Sequence, residues 1–365
     1  MKSIMFLVPY LFLGGAETQF RNLIKGLSKK NNYQITVFTL FKKEKKFLEN
    51  IDNVDIKSIG FKFKKKYKNN FLKLVSYLFN YLYVSLFFLF HFLFNKYDVV
   101  ISYSMILTPF IPILKLFNKK LIFSVRTASD KLYNRKYLPF LYNIADIITC
   151  NSPTTEKMLN DLGISNVKTI LNGVNFDDKS NVSIKTNNDI EDIYVIARIH
   201  PIKNQITVLK ALKEMKNRKL FLVGSVTDTK YYNQLLEYID KNNLKDRVVF
   251  EGFINNISEI YKKADLIILP SYEEGLPNVI LESFLYKRYC IASNISANRF
   301  ILSEKGGLFN PDDYKELVEE IIKFENKTKK QKKNILLENH YFLKKEFSIK
   351  RLVNEYESLF KEDGL

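Results

Sequence analysis

The chain has 365 residues, 46% of them hydrophobic, which is material for more than one core and sets a prior of about two domains. Its formal net charge is +18, from 57 Lys+Arg against 39 Asp+Glu, a balance that favours polyanionic partners such as nucleic acid, anionic lipid or phosphate-bearing substrates. Cys150 and Cys290 form no CxxC pair and read as free thiols in a reducing, cytosolic setting, and three scattered histidines exclude a His-rich metal site.

The opening MKSIMFLVPYLFLGGAE carries the lysine, apolar run and small residues of a signal peptide. Pro9 interrupts the run and Glu17 follows at once, so residues 3–9 read as a buried strand entering a glycine turn. An amphipathic helix is expected over 16–30 and a second strand over 33–40. Strands then follow at 97–104, 120–126, 145–152 and 167–174, with helical material between them. Short apolar strands alternating with helices imply parallel sheets built from βα units.

Residues 175–189, NFDDKSNVSIKTNND, have no apolar period and read as a connection between domains. Beyond them the alternation restarts, with strands at 192–198, 219–225, 247–253, 264–271 and 289–294 and helices at 204–216, 230–242 and about 277–286. The tail from about 312 reads as helices. The expected class is therefore α/β, two doubly wound halves in series, with ligands outside the carboxyl ends of the strands.

One stretch breaks this pattern. Lys62, Lys64, Lys65, Lys66 and Lys68 precede residues 71–94, whose only charged side chain is Lys73. A span needs about 20 apolar residues, so the length admits one. A buried helix and a helix lying on a membrane surface are the other readings, and the lysines would complement anionic headgroups in the last.

Several residues carry chemistry by position. Gly14 and Gly15 lie between the first strand and a helix, where the backbone can approach an anion. Arg198 leaves a strand of the second half and Lys203 lies five residues on, two cations suited to a diphosphate. In PSYEEGLPNVILESFL, Pro277 is placed as a first helical residue, Glu274 in the turn before it and Glu282 within the helix. As acceptor-only groups, the two acids suit hydroxyls.

Taken together, GGAE (14–17), SVR (124–126), ILNGV (170–174), ARIHPIKN (197–204), VVFEGF (248–253) and ADLIILPSYEEGLPNVILES (264–283) resemble family 4 of the retaining glycosyltransferases. The resemblance implies the GT-B fold, with two facing Rossmann-like domains and a cleft between them. It implies an acceptor-side domain over 1–177, joined by a C-terminal helix at about 345–361, a linker at 178–190 and a nucleotide-sugar domain over 191–344. Arg198, Lys203 and Glu274 would be catalytic, the cations holding the donor diphosphate and Glu274 the sugar. Glu282 would take the ribose hydroxyls, with Gly275, Leu276, Pro277, Asn278 and Val279 bordering the donor. Gly14, Gly15 and Asn172 would lie at the donor from the first domain, and Arg126 or Ser104 on the acceptor side. With no D-x-D motif, no metal and no cofactor are implied. The chain departs from the family pattern at LYKRYC (285–290), where a glycine turn is usual, and at Phe300, where a glutamate is common.

The function implied is retaining transfer, of hexosyltransferase type, from a nucleotide diphosphate sugar to a saccharide or polyprenyl-linked oligosaccharide in bacterial envelope polysaccharide synthesis. It would take place on the cytoplasmic face of the membrane, with the surface engaged through 62–94. A GT-B epimerase or phosphorylase is the alternative. Nucleic acid is not an expected partner, because the lysines are dispersed and form no aromatic-interleaved face.

Overall fold

The structure, a computed structural model, describes residues 1–9, 15–41, 51–61, 70–126, 137–176, 182–186 and 189–361. It divides into two compact units, Met1–Gly173 with Ile349–Leu365, and Val174–Ser348.

The first unit opens with β1 (Lys2–Val8), α1 (Gly15–Ser28), β2 (Tyr33–Phe41), β3 (Val54–Phe61) and α2 (Asn70–Phe94). It continues through β4 (Val99–Ser102), α3 (Ile111–Phe117), β5 (Lys120–Val125), α4 (Leu138–Tyr142), β6 (Ile147–Cys150), α5 (Pro153–Asp161) and β7 (Val167–Thr169). The sheet order is β3-β2-β1-β4-β5-β6-β7, every pair parallel. Parallel neighbours need crossovers, and helices covering both faces require strands apolar on both sides. Ile4–Val8 and Lys120–Val125 are accordingly buried throughout.

The second unit carries β8 (Asp192–Ile196), α6 (Gln205–Glu214), β9 (Lys219–Val223), α7 (Thr229–Lys241), β10 (Val248–Gly252), α8 (Ile257–Lys263) and β11 (Leu266–Leu269). Then come α9 (Asn278–Leu285), β12 (Tyr289–Ser293), α10 (Ser296–Leu302), β13 (Gly307–Phe309), α11 (Tyr314–Glu325) and α12 (Lys329–Glu346). Its sheet is β10-β9-β8-β11-β12-β13, again parallel. The last helix, α13 (Ile349–Lys361), returns to the first unit and buries Leu352, Val353, Tyr356, Leu359 and Phe360 beside α1. That approach depends on Gly26, where a Cβ would fall 2.4 Å from Val353 Cγ2.

Several sequence expectations need revision. β3 and β13 were not anticipated, since β3 alternates polar and apolar residues at the sheet edge and β13 has only three residues. The strand expected over 167–174 ends at Thr169. Beyond it Gly173 is held by side chains, with its N–H donating to Gln19 Oε1 (2.8 Å) and its carbonyl accepting from Asn22 Nδ2 (2.8 Å). Pro277 is not the first helical residue but the N-cap of α9, with φ −76° and ψ 95°, because its extended ψ turns the chain into the helix.

The connection is not a free tether where it is described. Residues 182–186 lie on the second unit, with the Val182 carbonyl accepting from Lys287 Nζ (3.3 Å), that of Ser183 from Arg288 Nη1 (2.9 Å), and Lys185 paired with Asp265 (2.9 Å).

Residues 71–94 form a helix with two apolar stripes. Val84, Phe88 and Phe92 recur every fourth residue and enter the core, while Leu78, Phe79, Leu82, Leu86, Phe90 and Leu93 are exposed. No helix among the described residues is long and apolar enough to cross a membrane. The lysines at 62–68 lie outside the described residues.

Candidate active site

In each sheet the strand order reverses once, between β1 and β4 in the first unit and between β8 and β11 in the second. Loops leaving the two strands at such a point run to opposite faces of the sheet and open a crevice at its carboxyl edge. In the second unit, Arg198 and Lys203 follow β8 and Glu274 follows β11. The sequence-predicted cations and the first acid therefore leave the two strands that flank the reversal.

The β8 exit is closely supported. Ala197 N–H donates to the Val223 carbonyl (2.9 Å) and Ile199 N–H to that of Ser225 (2.9 Å), extending the strand path beside the β9 exit. Gly224 makes this possible: its φ is +148°, and a Cβ there would lie 2.3 Å from the Ala197 carbonyl oxygen and 2.9 Å from Arg198 N. Gln205 Nε2 donates to the Arg198 carbonyl (2.9 Å). His200 caps the turn Pro201–Lys203 by accepting from Ile202 N–H at Nδ1 (3.2 Å), and Asn204 closes it in the left-handed region (φ 50°). The Arg198 guanidinium forms no ion pair or side-chain hydrogen bond with the described residues and is exposed.

The β11 exit is tied to that loop twice. Tyr272 N–H donates to the Ile202 carbonyl (2.9 Å), and Lys203 Nζ meets Glu274 Oε1 at 2.6 Å with side chains only 17% and 14% exposed. A pair this shielded orients both groups, since neither end is free to solvate independently. Downstream, Gly275 is partly buried, Leu276 and Pro277 are buried, and Asn278 and Val279 begin α9. Glu282 lies on α9, half-buried, and Oε2 accepts from Tyr261 Oη at 2.8 Å. Nothing in the sequence pairs a tyrosine of α8 with a glutamate 21 positions on, and Tyr261 was missed for that reason.

The two departures from the family pattern also have places. Lys287 adopts the left-handed φ of 52° that a glycine would favour, and Arg288 is buried beneath it. Its guanidinium donates to five carbonyls, those of Tyr261 (2.6 Å), Lys262 (2.9 Å), Ser183 (2.9 Å), Tyr286 (3.1 Å) and Lys287 (3.2 Å). Burial lowers its pKa to about 10, against the opposing charge of Asp265, and leaves it cationic at neutral pH. Phe300 lies on α10 and is 38% exposed.

In the first unit, Gly15 opens α1 beyond β1 and Ser104 follows β4, flanking that sheet's reversal. Gly14 lies outside the described residues. Ser104 Oγ accepts from Ile106 N–H (3.3 Å) and caps a 3-10 turn. Arg126 is a brace: Nε donates to Ser124 Oγ (3.0 Å), Nη1 to Asn172 Oδ1 (3.1 Å) and Nη2 to Tyr356 Oη (2.9 Å), with the guanidinium 4.5 Å from the Tyr103 ring centroid. Among the described residues, no group of three or more His, Cys, Asp or Glu is placed to hold a metal ion.

Residues 13–178 match the family described as Glycosyltransferase Family 4, and residues 176–336 that described as Glycosyl transferases group 1. Both matched families are glycosyltransferase families, and together the two matches span residues 13–336. Among curated relatives it is 29% identical over 140 residues, 35% of each chain, to the UDP-Gal:alpha-D-GlcNAc-diphosphoundecaprenol alpha-1,3-galactosyltransferase of Escherichia coli. It is 31% identical over 147 residues, 39% of each chain, to the GalNAc-alpha-(1->4)-GalNAc-alpha-(1->3)-diNAcBac-PP-undecaprenol alpha-1,4-N-acetyl-D-galactosaminyltransferase of Campylobacter jejuni. These alignments span little more than a third of either relative. Among solved structures, Anabaena HepE in complex with UDP and glucose aligns with a TM-score of 0.79 at 16% identity, covering 99% of this chain and 100% of that one. Sucrose-phosphate synthase from Thermosynechococcus elongatus gives 0.79 at 17% identity, covering 99% of each chain. The fold is thus α/β of the GT-B class, with two parallel-sheet Rossmann-like halves.

Proposed function

We propose that the chain transfers a glycosyl unit from a nucleotide diphosphate sugar to a hydroxyl of a lipid-linked oligosaccharide, with retention at the anomeric carbon. The observation that carries this reading is the convergence of Arg198, Lys203 and Glu274 on the two loops at the β8/β11 reversal, with Glu282 on the helix that follows. Arg198 offers an exposed guanidinium fork to the diphosphate and Lys203 a point charge, so the leaving phosphate is neutralised without recourse to a metal. Glu274, oriented by Lys203, would accept from donor-sugar hydroxyls, and Glu282 from the ribose. The backbone from Gly275 to Val279 would border sugar and phosphate.

In the reaction, the bond from the anomeric carbon to the β-phosphate oxygen breaks and the acceptor oxygen bonds that carbon on the same face. The acceptor proton passes to the leaving phosphate. The protein contributes positioning and charge stabilisation.

The lipid-linked acceptor is supported by the diphosphoundecaprenol-linked substrates named for the two relatives and by the exposed apolar stripe of α2. That stripe, with Lys62, Lys64, Lys65, Lys66 and Lys68 just before the helix in sequence, fits an anionic membrane surface on its cytoplasmic side.

One assay examines both parts. UDP-sugars are incubated with a polyprenyl-diphosphate saccharide in vesicles with or without anionic phospholipid, and the product is read by mass spectrometry and by the coupling of its new anomeric proton. The expected result is transfer with retained configuration, stimulated by anionic lipid. Inversion would overturn the mechanism, and equal rates on a detergent-free soluble saccharide would overturn the membrane role. Donor consumption without any acceptor would favour an epimerase.

A further inference from the structure

We infer that Tyr261 is a positioning residue for nucleotide recognition, holding the Glu282 carboxylate in the one plane from which it can accept from ribose hydroxyls. This rests on the proposed role of Glu282 and names what sets its geometry.

A carboxylate on a short helix rotates about its terminal bond over a broad range unless something fixes it. Here the phenol hydroxyl of Tyr261 donates to Oε2 at 2.8 Å from the buried side of α9. The Tyr261 hydroxyl oxygen also lies 3.4 Å from the Val279 carbonyl oxygen, so the phenol is centred under the first turn of the helix. Tyr261 is itself immobilised. It is fully buried, its ring stacks on Tyr286 with centroids 5.0 Å apart and planes 6° from parallel, and its own carbonyl accepts from Arg288 Nε (2.6 Å). Burial first, and the charge of Glu282 second, push the phenol pKa well above its ordinary value, so the group stays a donor throughout the working range. The donated bond occupies one acceptor site on Oε2 and leaves the remaining carboxylate lone pairs for vicinal hydroxyls. A hydrogen bond to a charged group also carries more energy than one between neutral groups.

The test is titration calorimetry of UDP and of 2′,3′-dideoxy-UDP against the wild-type full chain and Tyr261→Phe, with melting temperature recorded for each. The ratio of the two dissociation constants isolates the ribose contact from general weakening. Tyr261→Phe keeps the stacked ring, so melting within a few degrees of wild type is expected. In wild type, UDP should bind more tightly than the dideoxy nucleotide. In Tyr261→Phe, UDP affinity should fall about tenfold, the range for a hydrogen bond to a charged group, and the ratio should approach one.

Tyr231→Phe deletes another buried phenol hydroxyl of the same unit, one that accepts from Ile206 N–H at 3.1 Å, and should leave the ratio at its wild-type value. A ratio preserved in Tyr261→Phe overturns the inference alone. A ratio lost equally in Tyr231→Phe also overturns it, because the effect is then general loosening. A wild-type protein that does not distinguish the two nucleotides overturns the ribose role of Glu282, and this inference with it.

Discussion

Arg198→Ala is expected to lower kcat/KM for the donor by about a hundredfold or more, on the order of 3 kcal/mol, while leaving the urea midpoint of unfolding unchanged. The separation follows from its surroundings. The side chain is exposed and makes no ion pair or side-chain hydrogen bond with the described residues, so its removal leaves no buried group unsatisfied. The cost should appear only when a diphosphate must be held and its developing charge met. Lys203→Ala should lower turnover comparably and also destabilise the protein by about 1–3 kcal/mol, because Glu274 then loses the partner that compensates its burial. Steady-state kinetics with urea unfolding of both variants checks the contrast. Near-normal turnover in both would remove the two cations from the mechanism.

The largest effect on stability is expected at Arg288. Arg288→Ala should cost about 3–5 kcal/mol, because the buried guanidinium is removed and five carbonyls lose its donors, those of Tyr261 and Tyr286 in buried surroundings. Arg288→Lys should recover only part of this, since one ammonium has three donors and no planar fork. The segment 182–186 should be loosened first, as Ser183 is one of the five acceptors, and amide exchange at 182–186 should rise more than in the sheet. A urea midpoint for Arg288→Ala within about 1 kcal/mol of wild type would show that the carbonyls find other partners.

Much of this arrangement was legible in the sequence because it is carried by local signals. Apolar runs such as LIIL (266–269) and IITC (147–150) mark strands buried on both faces, and their spacing forces parallel pairing. Cations and acids following particular strands then fall at a predictable sheet edge. What escaped was non-local. The Lys203–Glu274 pair joins residues 71 apart, the Tyr261–Glu282 bond depends on how α8 packs under α9, and Arg288 looked like a departure from a glycine turn rather than the anchor of residues 182–186. Edge strand β3 was missed because its alternation of lysine, aspartate and serine with apolar residues resembles a solvated loop. For residues 71–94, hydropathy could not separate the core stripe from the exposed one, which only the packing of Val84, Phe88 and Phe92 resolves.

The central claim is that an activated sugar is held at the carboxyl edge of the second sheet by its pyrophosphate and ribose. A structure of the chain with UDP bound tests it most directly. The account predicts phosphate oxygens within hydrogen-bond reach of the Arg198 guanidinium and the Lys203 ammonium, and both ribose hydroxyls on Glu282. A nucleotide seated elsewhere on the second unit, with those three side chains unengaged, would contradict it.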